Sequence, residues 1–177
     1  MTFDEIAENK HLWAVRYDGE EENELYKLFD NLSDVTFLRS FFKENQADLS
    51  KFKLTIDAAV EDTIDDINNL IDMFLDECNN IESLFQPLSQ NTCLYYLEKK
   101  KAKGFRINGH SSWIRIYAIK LEENFFIITG GTIKLTQKNQ DRKHTDDELR
   151  KLEKVRVRLC ELGVFDRDGF IESCNEK

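Results

Sequence analysis

Proline occurs once in this chain of 177 residues and glycine only seven times. Proline-rich spacers, collagen-like repeats and flexible glycine tethers are thereby excluded. Histidine is as scarce, and His11, His110 and His144 stand far apart. The four cysteines, Cys78, Cys93, Cys160 and Cys174, show no Cys-x-x-Cys spacing. Neither a zinc site nor a disulfide framework is expected, nor any metal or cofactor, and reduced thiols are the expectation. No stretch approaches the roughly 18 consecutive apolar residues of a membrane span. The segment Met1-Thr2-Phe3-Asp4-Glu5 is acidic, unlike the positive, then apolar start of a secretory leader, which makes the cytoplasm the expected compartment.

What the chain does have is a division of charge. Met1 to Gln90 carries 7 Lys and Arg against 21 Asp and Glu, a net of −14, while Asn91 to Lys177 carries 18 against 13, a net of +5. The overall pI of about 4.9 therefore hides a basic half. A cationic surface built on strands suits a polyanion such as RNA.

Periodicity places the elements. Leu12-Trp13-Ala14-Val15-Arg16-Tyr17, stopped by Asp18-Gly19, reads as a strand. A helix follows from about Glu21 to Asn31, then a third element capped by Ser33 or Asp34 with Phe37, Leu38, Phe41 and Phe42 on one face. From Thr55 to about Asn79, apolar residues from Ile56 to Leu75 recur at three- and four-residue steps with carboxylates between them, which predicts a long helix. Pro87 marks a corner. Strand-like runs follow at Cys93–Leu97, Trp113–Ile119, Phe125–Thr129 and Thr132–Thr136, with a tight turn at Glu122-Glu123-Asn124 joining the second and third as an antiparallel hairpin. In the Trp113 run, Ile114, Ile116 and Ala118 form a core face, while Trp113, Arg115, Tyr117 and Ile119 share the other. Thr145-Asp146-Asp147-Glu148 has the form of a capping box opening a last helix, with Gly163 as its stop.

Gly130-Gly131 lacks the spacing of a phosphate loop and reads as a bulge, where an inserted residue re-aims the side chains that follow, Lys134 among them. The acidic helix sets like charges four apart, as in Asp57/Glu61, Glu61/Asp65, Asp62/Asp66 and Asp72/Asp76, each at a cost of a few tenths of a kcal/mol. Such a face is solvated, folds over the basic half, or repels nucleic acid from the wrong side. Lys99, Lys100, Lys101 and Lys103 are either a solvated turn or, with Arg106, Lys138 and Lys143, contacts to RNA. Arg115, Lys134 and the Arg142-Lys143-His144 segment are expected to converge at one end of a sheet, where Lys and Arg stabilise an oxyanion and His moves protons.

The series from Pro87-Leu88 through Trp113-Ile-Arg-Ile-Tyr117, Phe126-Ile-Ile-Thr-Gly-Gly-Thr-Ile-Lys134 and His144-Thr-Asp-Asp-Glu-Leu149 resembles the RelE/HigB/ParE superfamily of toxin–antitoxin toxins, nearest its HigB-like branch. The likeness spans roughly residues 84–162. Its members are commonly about half this length and basic overall, and here Leu135 follows Lys134 where a second lysine is usual. The resemblance implies an α+β fold: a small twisted antiparallel sheet with expanded N-terminal helices and a C-terminal helix. Residues 1–177 would then form one domain, with an acidic helical part at about 20–82 and a basic sheet part at about 91–162.

Members that cleave RNA do so without metal, by attack of a ribose 2′-OH on the adjacent phosphate, usually on the ribosome. Carried over by position, Arg115 and Lys134 would stabilise phosphate charge, His144 would serve as acid or base with Arg142 assisting, and Tyr117 shares the Arg115 face. The implied activity is a ribosome-dependent mRNA endoribonuclease that inhibits translation. The implied partners are mRNA, the ribosome and a helix-turn-helix antitoxin, with no membrane, and with assembly into homo- or hetero-oligomers left open. The alternative is a non-catalytic toxin or interaction protein that blocks a nucleoprotein such as the ribosome or DNA gyrase.

Overall fold

A computed structural model describes residues 1–6, 11–75, 81–88, 97–104, 108–136 and 141–175. The first aromatic and β-branched run forms β2 (Leu12–Arg16), which pairs antiparallel with β1 (Thr2–Glu5). On its other side β2 runs parallel to β6 (Phe125–Ile133), and β6 pairs antiparallel with β5 (Ile114–Glu122). The sheet continues antiparallel through β4 (Glu98–Lys103) to β3 (Phe85–Pro87), giving the order β1-β2-β6-β5-β4-β3. The class is α+β, as expected. The sheet is mixed rather than antiparallel throughout, because β2 joins β6 in parallel. A strand of the acidic half thus lies hydrogen-bonded beside one of the basic half, and the charge boundary does not divide the sheet.

Helices cover both faces. On one side lie α1 (Glu24–Ser33), α2 (Val35–Glu44) and α4 (Ile56–Leu75), with the one-turn α3 (Gln46–Leu49) after α2. On the other lie α5 (Lys143–Glu161) and α6 (Arg167–Asn175). The period-2 alternation of β5 sorts its side chains between these layers: Ile114, Ile116 and Ala118 join the α1/α2/α4 core, while Tyr117 and Ile119 join the α5/α6 core. Each fully buried isoleucine or phenylalanine contributes about 2–3 kcal/mol by leaving water. No helix among the described residues is long and apolar enough to cross a membrane.

Local chemistry shifts several boundaries. The Asn23 side chain accepts from the Leu25 and Tyr26 amides at 3.1 Å each, so α1 starts at Glu24 rather than Glu21. Asp34 caps α2 by accepting from the Thr36 amide at 2.7 Å. The capping box at Thr145 does not form, because α5 begins earlier with Arg142 at its N-cap, and the Thr145 hydroxyl donates to the Arg142 carbonyl at 2.8 Å. The run expected at Cys93–Leu97 lies largely outside the described residues, as does the end of the acidic helix beyond Leu75. Instead the lysine-rich segment is itself strand β4, because pairing with β5 supplies the order that its side chains do not. Pro87 sits in the edge strand β3, where a missing amide donor is tolerated.

The acidic helix α4 is only partly solvated. Asp57, Glu61, Asp65 and Asp72 are exposed, and Asp57 pairs with Arg39 at 2.8 Å. Asp62 and Asp66 are buried. Both point into the protein, where Asp62 meets Asn108 and His110 and Asp66 lies against Gly104.

Candidate nucleic-acid interface

The geometry of the site begins with one extra residue in β6. Tyr117 pairs with Gly130 and Ala118 with Ile128, which leaves Thr129 inserted as a bulge. Before it, Phe125 and Ile127 face α5 and α6. After it the alternation is reset, so Gly130, Thr132 and Lys134 share that same face, and Gly131 and Ile133 take the other. The Lys134 amide donates to the Trp113 carbonyl at 2.7 Å, extending the pairing one residue past β6. Both glycines fit the space they occupy: a Cβ on Gly130 would run into the Glu148 carboxylate, and one on Gly131 into the Leu28 side chain and, at 2.9 Å, the Arg115 carbonyl.

Two cross-strand rows result. In the first, Lys101 lies opposite Tyr117, which lies opposite Gly130; in the second, Lys103 lies opposite Arg115, which lies opposite Thr132. Lys134 follows Thr132 at the end of the second row. Tyr117 is 1% exposed and belongs to the apolar layer under α5, whereas Lys101, Lys103, Arg115, Thr132 and Lys134 lie outside that layer and are half-buried or exposed. The sheet face therefore changes along its length from an apolar floor to a cationic platform.

Like charges set opposite each other in a sheet are destabilising, and the platform shows it. Burial pushes the Lys103 ammonium below its usual range, with Arg115 and then Lys101 adding to the fall. Burial also lowers Lys134, again aided by Arg115 and Lys101, while Asp141 opposes. Arg115 is pushed down by burial and supported by Tyr117 and Asp66. An anion placed over these groups relieves all three at once. Arg115 is oriented by its Nη1, which donates to the Ser112 and Ile114 carbonyls at 2.8 and 2.7 Å.

Most of the other expected site residues are held by partners of their own or lie outside the described residues. Arg142 donates through Nε to Asp48 at 2.7 Å, and the Asp48 side chain is 4% exposed. His144 donates through Nε2 to the Ile133 carbonyl at 3.1 Å and meets the Phe41 ring edge-on at 5.2 Å. Burial pushes its pKa below the usual value, against the pull of that carbonyl. These two residues tie the start of α5 to α3 and α2, and His144 also ties it to the end of β6 through the carbonyl just before Lys134. Lys99 pairs with Glu153 of α5 at 2.5 Å, and Lys100 turns to the opposite face and pairs with Glu98 at 2.5 Å. Lys143 is exposed in the first turn of α5. Arg106 and Lys138 lie outside the described residues.

A group beside the platform has no signal in the sequence beyond its supposed cap. The Glu148 and Glu24 carboxylates, both buried, share Lys151, at 2.8 and 2.7 Å, and Lys27 holds Glu24 at 3.0 Å. Tyr17 closes the group by donating to the Thr129 carbonyl at 3.3 Å. Burial raises both the Glu148 carboxyl and the Tyr17 phenol. Among the described residues no group of three or more His, Cys, Asp or Glu is placed to hold a metal ion.

No family model, curated protein or solved structure matches the chain. The platform's own chemistry is what bears on function: several cations on a rigid sheet, able to hold phosphate oxygens and to stabilise added negative charge on phosphorus.

Proposed function

We propose that this chain is a RelE/HigB-like toxin that binds single-stranded RNA across the β4–β5–β6 platform and cleaves it. The observation that carries the reading is the Thr129 bulge, which turns Lys134 onto the face of Lys101, Lys103 and Arg115. In the reaction a ribose 2′-oxygen attacks the adjacent phosphorus and loses its proton. The P–O5′ bond breaks, the departing 5′-oxygen gains a proton, and the products are a 2′,3′-cyclic phosphate and a 5′-hydroxyl. Arg115 and Lys134 would stabilise the charge on the non-bridging oxygens, a task worth about 3–4 kcal/mol for one well-placed donor. The ribosome would present the strand, and a small helix-turn-helix antitoxin would mask the platform.

A second reading has its own support. His144 donates to the Ile133 carbonyl and Arg142 to Asp48, structural bonds that favour a toxin that binds and blocks without cutting. Induced expression separates the two. New RNA 5′ ends that vanish with Arg115→Ala and Lys134→Ala support cleavage. Growth arrest without RNA breakage supports the blocking toxin, and absence of any arrest overturns both.

A further inference from the structure

The buried carboxylate of Asp62 lies on the far side of the sheet from the platform, yet every contact it makes leads toward Arg115. It accepts from the Asn108 side-chain amide and, at 3.0 Å, from Nε2 of His110. The His110 ring stacks on Trp113, with centroids 4.3 Å apart and planes 11° from parallel. Trp113 Nε1 in turn donates to the hydroxyl of Thr63, the next residue of α4, at 2.9 Å. From the segment so gripped come the Ser112 carbonyl that holds Arg115 and the Trp113 carbonyl that receives the Lys134 amide. One turn along α4, Asp66 lies against Gly104 at the end of β4, and its charge acts on Arg115.

We infer that Asp62, Thr63 and His110 are positioning residues for Arg115: α4 grips residues 108–113 and so fixes the guanidinium and Lys134 on the platform. This rests on the proposed RNA site for its purpose, though not for its test. The geometry also accounts for Asp62, a carboxylate that a solvated helix would have no reason to bury. Burying Asp62 is costly unless its oxygens are met by donors, and the donors come from the segment leading into β5.

The test uses the full chain and two substitutions that keep side-chain shape, Asp62→Asn and Thr63→Val, with exposed Glu61→Gln as control. The first readout is the Nε–Hε resonance of Arg115 in a ¹H–¹⁵N spectrum, assigned by its loss in Arg115→Lys. The second is affinity for a short fluorescent oligouridylate. Both substitutions shift or broaden the Arg115 resonance, Thr63→Ser restores it, and Glu61→Gln leaves it unchanged. Loss of one oriented hydrogen bond weakens the oligonucleotide by roughly threefold to tenfold, and Asp62→Asn adds nothing further in an Arg115→Ala chain. An unmoved Arg115 resonance in folded Asp62→Asn and Thr63→Val overturns the inference. If the unaltered chain does not bind oligouridylate, the proposed RNA site fails, and the Arg115 resonance still decides the positioning role.

Discussion

The carboxylate of Glu148 occupies the place that a Cβ would take on Gly130. One residue on α5 and one on β6 thereby set how closely the helix approaches the sheet, and the same approach leaves Glu148 Oε2 buried without a hydrogen-bond partner among the described residues. Gly130→Ala must displace that side chain, and the expected loss of unfolding free energy is about 2–3 kcal/mol by urea denaturation. Glu148→Ala in the same chain makes room and restores part of it. Simple additivity of the two losses would argue against the contact.

The platform residues differ in what they do for RNA. Lys101 and Lys103 form no ion pair among the described residues, whereas Lys99 is engaged by Glu153. Fluorescence titrations across a salt series should show Lys101→Ala and Lys103→Ala each reducing the salt slope of oligonucleotide binding by about 0.7. Lys99→Ala should change it less. Equal slopes for all three would mean that the Lys99–Glu153 pair opens in solution.

Two carboxylates predict opposite pH responses. Arg156, then Lys99, holds Glu153 down at about 2, so its contribution is complete above the ordinary value of 4.5 and lost as pH falls from there toward about 2. The stability gap between the wild type and Glu153→Gln should therefore close across that window. Burial raises Glu148 above 4.5, so the folded state favours its neutral form, and the stability it brings is lost as pH rises through the raised value. Glu148→Gln should match the wild type at pH about 4 and exceed it at pH about 8 in paired denaturation curves.

Arg142 is expected to act on stability before chemistry. Its Nε meets Asp48 at 2.7 Å, and Lys51 meets the same carboxylate at 2.8 Å. Because the Arg142 side chain is 44% exposed, Arg142→Ala should cost only about 1 kcal/mol, the upper end for a solvent-screened ion pair. A loss of function far larger than this loss of folding would place Arg142 at the substrate instead.

Much of the fold is legible where periodicity and turn chemistry agree. The α4 stripe, the β5–β6 hairpin with Asn124 at φ 58°, and the bulge marked by Gly130-Gly131 all follow from local rules. β1, β3 and β4 do not. Glu98–Lys103 has few strand-forming side chains and becomes a strand because the exposed edge of β5 pairs with it. Glu148 looks like a cap because Thr145 stands three residues before it, but α5 begins at Lys143 and turns it under the sheet.

By itself the sequence determined which segments are amphipathic, where the backbone had to turn, and that cations gather in the second half. Each of these depends on neighbours within a few residues. That Lys101, Lys103, Arg115 and Lys134 share a face, that Arg142 meets Asp48 and His144 the Ile133 carbonyl, and that Asp62 faces inward came from the tertiary fold. Those outcomes depend on strand register and helix docking. A single inserted residue at Thr129 reverses every side chain after it, and which strand pairs with which is settled by burial on both faces of the sheet together.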